Sequence, residues 1–253
     1  YYGLSLFEPA LEALIRRFYQ RSDAVVAPSQ SMADIMRAQR MSDDISIWAR
    51  GIDRAIFNPG RRDHAWRGTF GLQPNDVAIG FLGRLVMEKG LDVFADVVER
   101  LNRGHVPHKV LVIGEGPAKD WFRSKVPDAI FAGFQQGSDL GRAVASMDVL
   151  FNPSVTETFG NVTLEAMACR IPVVAARATG SENLVADGKT GRLISPSDMQ
   201  GYAHALTAYC QDESLRFSHG RAGEAASLPY DWDRINQAVV DTYVRVIGRA
   251  THG

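Results

Sequence analysis

The 253-residue sequence holds only two cysteines, Cys169 and Cys210, and neither stands at metal-ligand spacing from another candidate ligand. A disulfide framework is excluded, no thiolate metal centre is indicated, and a reducing cytoplasm is the simplest setting. One sign of charge never dominates. The 28 lysines and arginines are interspersed with 29 acids for a net charge of -1, so no basic stripe offers a nucleic-acid footprint. No apolar run approaches the roughly 20 residues of a membrane span, and no secretory signal pattern is present. A starting methionine is also missing: the chain opens on Tyr1-Tyr2 inside a helix-like pattern and reads as a piece of something longer.

What is there reads as α/β. From Leu4 to Arg21, apolar Leu11, Leu14, Ile15 and Phe18 recur at helical spacing, with Arg16, Arg17 and Arg21 interleaved. Such a helix suits either an anionic membrane surface or a domain helix with one solvated face. Short strands are expected at 24–27 and 45–48, with a helix at 31–39 after the capping residue Ser29. Phe57-Asn58-Pro59-Gly60 has linker chemistry. Strand-like runs then fall at 77–82, 109–113, 129–132, 149–151 and 173–176, separated by helical patterns at 91–103, 118–126, 138–146 and 162–169. One helix between successive strands predicts a parallel sheet with right-handed crossovers and helices on both faces. A strand at 192–194 and helices at 198–211, 215–226 and 232–247 complete the pattern.

Sheets of this kind take ligands beyond the carboxyl ends of their strands, and the chemistry-bearing residues fall there. After the 149–151 strand comes Glu157-Thr-Phe-Gly-Asn-Val-Thr-Leu-Glu165. A helix opening near Gly160 would present unpaired N–H groups and the positive end of its dipole, an anion-binding arrangement. Glu165 lies one turn past Asn161 on the same side, while Glu157 stays on the loop. Two acids flanking an anion site match a ligand with hydroxyls on both sides of a phosphate group. After the first strand of the sheet, Gly83-Arg84 and Glu88-Lys89-Gly90 place two cations in one loop. They suit a diphosphate, or else form a solvated loop with an ion pair to Glu88.

Glu157 and Glu165 within ETFGNVTLEAMA, followed by IPVVAA, resemble the donor-binding motif of retaining GT-B glycosyltransferases of the family 4 type, the group 1 glycosyl transferases. The resemblance covers nearly the whole chain but only part of an enzyme of that family. It implies a tail of the acceptor-side domain with linker over residues 1–59, a Rossmann-like donor domain over 60–228, and a helix over 229–253 crossing back toward the first domain. It implies that Arg84 and Lys89 hold the diphosphate and stabilise it as leaving group, that Glu165 binds the ribose hydroxyls, and that Glu157 contacts the transferred hexose. Main-chain donors of Phe159, Gly160, Asn161 and Val162 would meet the distal phosphate. The Gly114-Glu115-Gly116 turn would line the nucleotide pocket as a backbone approach site, and Gly133-Phe134 would meet the base, Phe134 being equally readable as core.

No Asp-x-Asp stands near these residues, which fits metal-independent chemistry without a cofactor, the nucleoside-diphosphate sugar being the substrate. The subgroup looks most like mannosyl- and sulfoquinovosyltransferases acting on lipid glycans. The implied partners are a nucleotide-sugar and a lipid-linked or glycan acceptor, in the cytoplasm with peripheral contact at the inner membrane face. A nucleotide-sugar epimerase or a non-catalytic nucleotide-sugar-binding module are the alternatives. The family's acceptor-side loop is missing, so donor binding without transfer is expected of this chain. Two departures stand out. Arg170 replaces the glycine that usually ends the Glu165 helix, implying a different helix ending, and Thr179-Gly180-Ser181-Glu182 replaces a Gly-Gly turn.

Overall fold

The computed structural model describes residues 8–250; the start of the amphipathic pattern at 4–7 lies outside them. The chain divides into two compact units, one running to Gly51 and resuming at Tyr230, the other spanning Ile52–Pro229. The division falls at these points rather than at 59/60 and 228/229 because the linker segment packs on the second unit. There the Arg61 guanidinium donates to the Ala55 carbonyl at 3.2 and 2.6 Å, and Arg54 donates to Ser227 at 3.1 Å.

The first unit holds α1 (Glu8–Tyr19), β1 (Val25–Ala27), α2 (Gln30–Ala38) and β2 (Ile45–Ile47). Ser29 caps α2 through a hydrogen bond from the Met32 amide. The two strands pair in parallel, Val25 opposite Ile45. They share a small core with Ala27, Ala33 and Met36. Leu11, Leu14 and Phe18 of α1 remain exposed.

The second unit carries α3 (His64–Thr69), β3 (Ala78–Leu82), α4 (Leu91–Arg103), β4 (Lys109–Ile113), α5 (Lys119–Lys125), β5 (Ile130–Gly133), α6 (Gly137–Ala145), β6 (Val149–Asn152), α7 (Asn161–Ala168), β7 (Val173–Ala176), α8 (Thr179–Glu182), β8 (Gly191–Ile194), α9 (Met199–Gln211) and α10 (Glu213–Ser227). The last helix, α11 (Trp232–Ala250), belongs to the first unit, where Arg245 and Arg249 both pair with Asp44 of that unit. The six strands of the second unit form one parallel sheet in the order β5-β4-β3-β6-β7-β8. This is the doubly wound order whose direction reverses between β3 and β6, and loops leaving two neighbouring strands on opposite sides open a crevice at that point.

Burial of β3, β4, β6 and β7 explains why they read as continuous apolar runs rather than alternating ones. Beneath the crevice lies an aromatic cluster: Phe94 of α4 stacks on Phe151 of β6 at 4.9 Å and meets Phe81 of β3 and Phe122 of α5 edge-on at 5.7 and 5.5 Å. Such pairs add about 0.5–1.5 kcal/mol each beyond their buried area and fix the strand ends that carry the site. α3, which apolar periodicity does not mark, is held by the fully buried Arg67. Its guanidinium meets Asp148 at 2.9 Å, the Ser146 carbonyl at 2.6 Å and the Asp76 carbonyl at 2.6 Å.

α7 ends in the usual left-handed way although it lacks glycine. Arg170 takes φ 64, its amide bonds to the Met167 carbonyl at 3.0 Å and the Ile171 amide to the Ala166 carbonyl at 2.9 Å. The expectation of a different ending is therefore corrected. An ion pair from Arg170 to Glu224 at 2.8 Å offsets the cost of the side chain. α4 closes the same way on His105 at φ 52, with no such pair. His105→Gly is expected to stabilise the protein by about 1 kcal/mol. A raised urea midpoint at unchanged slope checks this, and an unchanged or lowered midpoint contradicts it.

Candidate functional site

The loops leaving β3, β4 and β5 are stitched together through their backbones. Gly83 donates to Ile113 at 3.0 Å, Leu85 to Glu115 at 3.0 Å, Gly114 to Gly133 at 2.9 Å and Ala118 to Leu85 at 3.0 Å. Gly114 sits at φ 137, and a Cβ there would lie 2.0 Å from the Gly83 carbonyl oxygen; one on Gly116 would lie 2.4 Å from that of Leu85. The backbone approach that these glycines permit is thus to the neighbouring loop. They brace the β3 loop, an approach that any side chain at 114 or 116 would block. Glu115 pairs with Lys119 at 2.6 Å. Phe134, just past β5, is 70% exposed, so its core alternative is excluded and its ring is available to stack on a ligand.

Across the reversal point, the β3 and β6 loops interlock. Gly90 is left-handed at φ 73, and a Cβ there would meet the Pro153 carbonyl at 3.0 Å. Thr156 donates to the Glu88 carbonyl at 3.4 Å. Lys89 Nζ pairs with Glu157 Oε1 at 2.7 Å, both side chains mostly buried. Arg84 extends into solvent with a loose pair to Glu88 at 3.3 Å. The sequence offers both cations a solvated loop with an ion pair to Glu88. The structure gives that only for Arg84, because Lys89 is drawn inward by an acid 68 residues away.

α7 begins at Gly160, left-handed at φ 96, and no side chain caps it. By contrast α2, α3, α9 and α10 are capped by Ser29, Asp63, Asp198 and Asp212. α4 also starts on an uncapped left-handed glycine, so both helices that begin at the crevice leave their N-terminal donors to another partner. Phe159 is buried and anchors the turn, whereas Asn161 is exposed and Val162 half-buried on the open side. Below the turn, the buried Asn152 accepts from the Ser154 amide at 3.3 Å and donates to Thr163 at 3.4 Å, tying strand end to helix.

Glu165 lies half-buried on α7, and among the described residues no hydrogen bond reaches its carboxylate. Burial first, and the Glu157 charge second, push it up to about 7. A poorly solvated carboxylate without donors is an acceptor waiting for hydroxyl groups. Among the described residues no three histidine, cysteine, aspartate or glutamate side chains gather as a metal site, and no helix is long and apolar enough to cross a membrane.

At the crevice where doubly wound sheets take ligands, the structure therefore joins Lys89 to Glu157 and sets Glu165 on the uncapped helix that follows, with Arg84 on the same loop as Lys89. Residues 1–55 match the glycosyltransferase family 4 profile. The chain is 32% identical to the GDP-mannose-dependent alpha-mannosyltransferase of Mycolicibacterium smegmatis over 98% of its own length and 64% of that protein. It is 31% identical to a sulfoquinovosyl transferase of Arabidopsis thaliana over 91% of its length and 46% of that protein. The chain thus spans about half to two thirds of the length of these relatives. Its fold superposes on sucrose-phosphate synthase from Thermosynechococcus elongatus with a TM-score of 0.84 at 19% identity, covering 95% of this chain and 62% of that one. It also superposes on the C-terminal domain of a group 1 glycosyl transferase from Francisella tularensis with a TM-score of 0.64 at 25% identity, covering 72% and 100%. The profile of glycosyl transferases group 1 matches residues 76–212, more than half the chain, and the protein belongs to that family.

Proposed function

We propose that the second unit binds a nucleoside-diphosphate sugar, GDP-mannose in the first instance, and that the protein serves transfer of the hexose to a lipid-linked or glycan acceptor with retention at the anomeric carbon. The observation that carries this is the ion pair of Lys89 with Glu157 beside the uncapped start of α7, whose Glu165 feels the Glu157 charge. Three of the curated relatives bear a GDP-mannose-dependent name, which favours that donor.

In this reading Glu165 accepts the two ribose hydroxyls, and Phe134 stacks near the base. The α7 amides and Arg84 take the phosphate oxygens. Lys89 shifts from Glu157 to the diphosphate and leaves Glu157 free to accept a hydroxyl of the hexose. As the bond to the anomeric carbon breaks, negative charge grows on the departing diphosphate. Fixed donors and cations already aimed there lower the barrier without reorganising. No metal and no cofactor are needed for these steps, and the setting is the cytoplasm with peripheral contact at the membrane.

A thermal-shift panel of GDP-mannose, GDP, UDP-glucose and ADP-glucose tests the donor assignment. Ligand at about a hundred times its dissociation constant adds about 2.7 kcal/mol of stability. GDP-mannose and GDP are expected to raise the melting temperature most. A UDP or ADP compound giving the largest shift would reassign the base. A flat panel would contradict donor binding.

A further inference from the structure

Glu157 is held from two sides. In front, Lys89 reaches its carboxylate at 2.7 Å. Behind it lies Gly180, buried in the four-residue helix α8. A Cβ on Gly180 would lie 2.7 Å from the Glu157 Cβ and 2.8 Å from its carbonyl oxygen, closer than real Cβ atoms approach. Gly180 is not among the residues with positive φ, so its backbone would accept alanine, and the three atoms nearest an added Cβ all belong to Glu157. The two turns also meet again three residues on, since a Cβ on Gly160 would stand 3.2 Å from the Gly180 carbonyl oxygen. Glu165 and Arg84 serve the nucleotide half of the crevice in the proposed reading, and Glu157 the hexose half.

We propose that Gly180 is a positioning residue for Glu157, setting how far that carboxylate reaches toward the transferred sugar; the inference rests on the donor-site reading. A methyl group at 180 moves Glu157 forward by a few tenths of an ångström or more and misaligns its hydrogen bonds to the hexose, while ribose and diphosphate are held as before.

Calorimetry with GDP and with GDP-mannose on Gly180→Ala tests this. GDP affinity is expected within twofold of the parent, with GDP-mannose weakened about tenfold. In Glu157→Gln the same Gly180→Ala change should bring no further loss. Equal loss of both ligands, unchanged GDP-mannose affinity, or additive losses in the double variant would overturn the inference. Glu165→Gln separates the two levels. If it binds GDP like the parent, or if the parent binds neither ligand, the donor-site reading fails and the inference with it. If it weakens GDP while Gly180→Ala shows no selectivity, the Gly180 role alone fails. Should Gly180→Ala be destabilised, Glu157→Gly combined with Gly180→Ala removes the 2.7 Å Cβ contact and keeps the 2.8 Å one to the carbonyl oxygen. That double variant is expected to recover part of the lost urea midpoint, and no recovery would overturn the inference.

Discussion

Glu165→Gln is expected to stabilise the unliganded protein by about 3 kcal/mol at pH 8, and by nothing measurable at pH 4.5. In the folded chain the Glu165 carboxyl is pushed up to about 7 from the ordinary 4.5, first by burial and then by the Glu157 charge. Between these values the folded state keeps the proton that the unfolded chain has released. Stability from this group is therefore greatest below pH 4.5 and falls as pH rises toward 7. Above that it stays flat at a deficit of 2.5 pKa steps of 1.36 kcal/mol. Glutamine has the same shape and no charge to desolvate, so the variant should lack this slope. Urea midpoints of parent and variant at pH 5 and pH 8 decide it, and parallel profiles would contradict the account. The same change should weaken GDP binding by ten- to a hundredfold, the worth of hydrogen bonds to a charged group, about 1.5–3 kcal/mol. GDP affinity of the parent should rise with pH up to about 7 and then level, because only the ionised carboxylate can accept from both ribose hydroxyls. Stability given up at an unpaired acid is what a binding site for hydroxyls requires.

The second large effect separates Arg84 from Lys89. Either residue changed to alanine should weaken GDP by about 1.5–3 kcal/mol through loss of a charge-assisted hydrogen bond to phosphate. Their effects on the unliganded fold should differ. The Arg84–Glu88 pair is exposed and loose, so Arg84→Ala should leave the urea midpoint within a few tenths of a kcal/mol. Lys89→Ala leaves the mostly buried Glu157 carboxylate without its partner and should cost about 1–3 kcal/mol. Glu157→Gln in turn releases Lys89, and should keep or slightly improve GDP binding while weakening GDP-mannose. Equal destabilisation by Arg84→Ala and Lys89→Ala would remove the Lys89–Glu157 pair from the account. GDP affinity like the parent's in both would remove the diphosphate clamp.

Much of this architecture could be read before any coordinates. The apolar runs at 77–82, 109–113, 149–151 and 173–176 are legible because strands buried on both faces must be apolar throughout. Glu157 and Glu165 stand out because a helix start and a loop acid are local features. What stayed hidden was made by distant residues. α3 has no apolar period, and its helix stands on one buried arginine whose partner Asp148 lies far along the chain. α8 is Thr-Gly-Ser-Glu, three of whose four residues are weak helix formers, and exists where its turn packs behind Glu157. Helix ends at Arg40, His105 and Arg170 close in left-handed conformations without glycine, where tertiary contacts override local preference. The sequence shows Gly-x-Gly at 114–116 but not that a Cβ at either position would strike the β3 loop.

The central claim is that ligand binds at the crevice between β3 and β6. A ¹⁵N-resolved NMR titration of the protein with GDP tests it most directly. The account predicts that amide shifts concentrate at Gly83–Gly90, Gly114–Gly116, Phe134 and Phe159–Val162. Shifts confined to another cleft of the same unit, such as that lined by Arg61, Arg62, His64 and Arg142, or none at millimolar GDP, would contradict it.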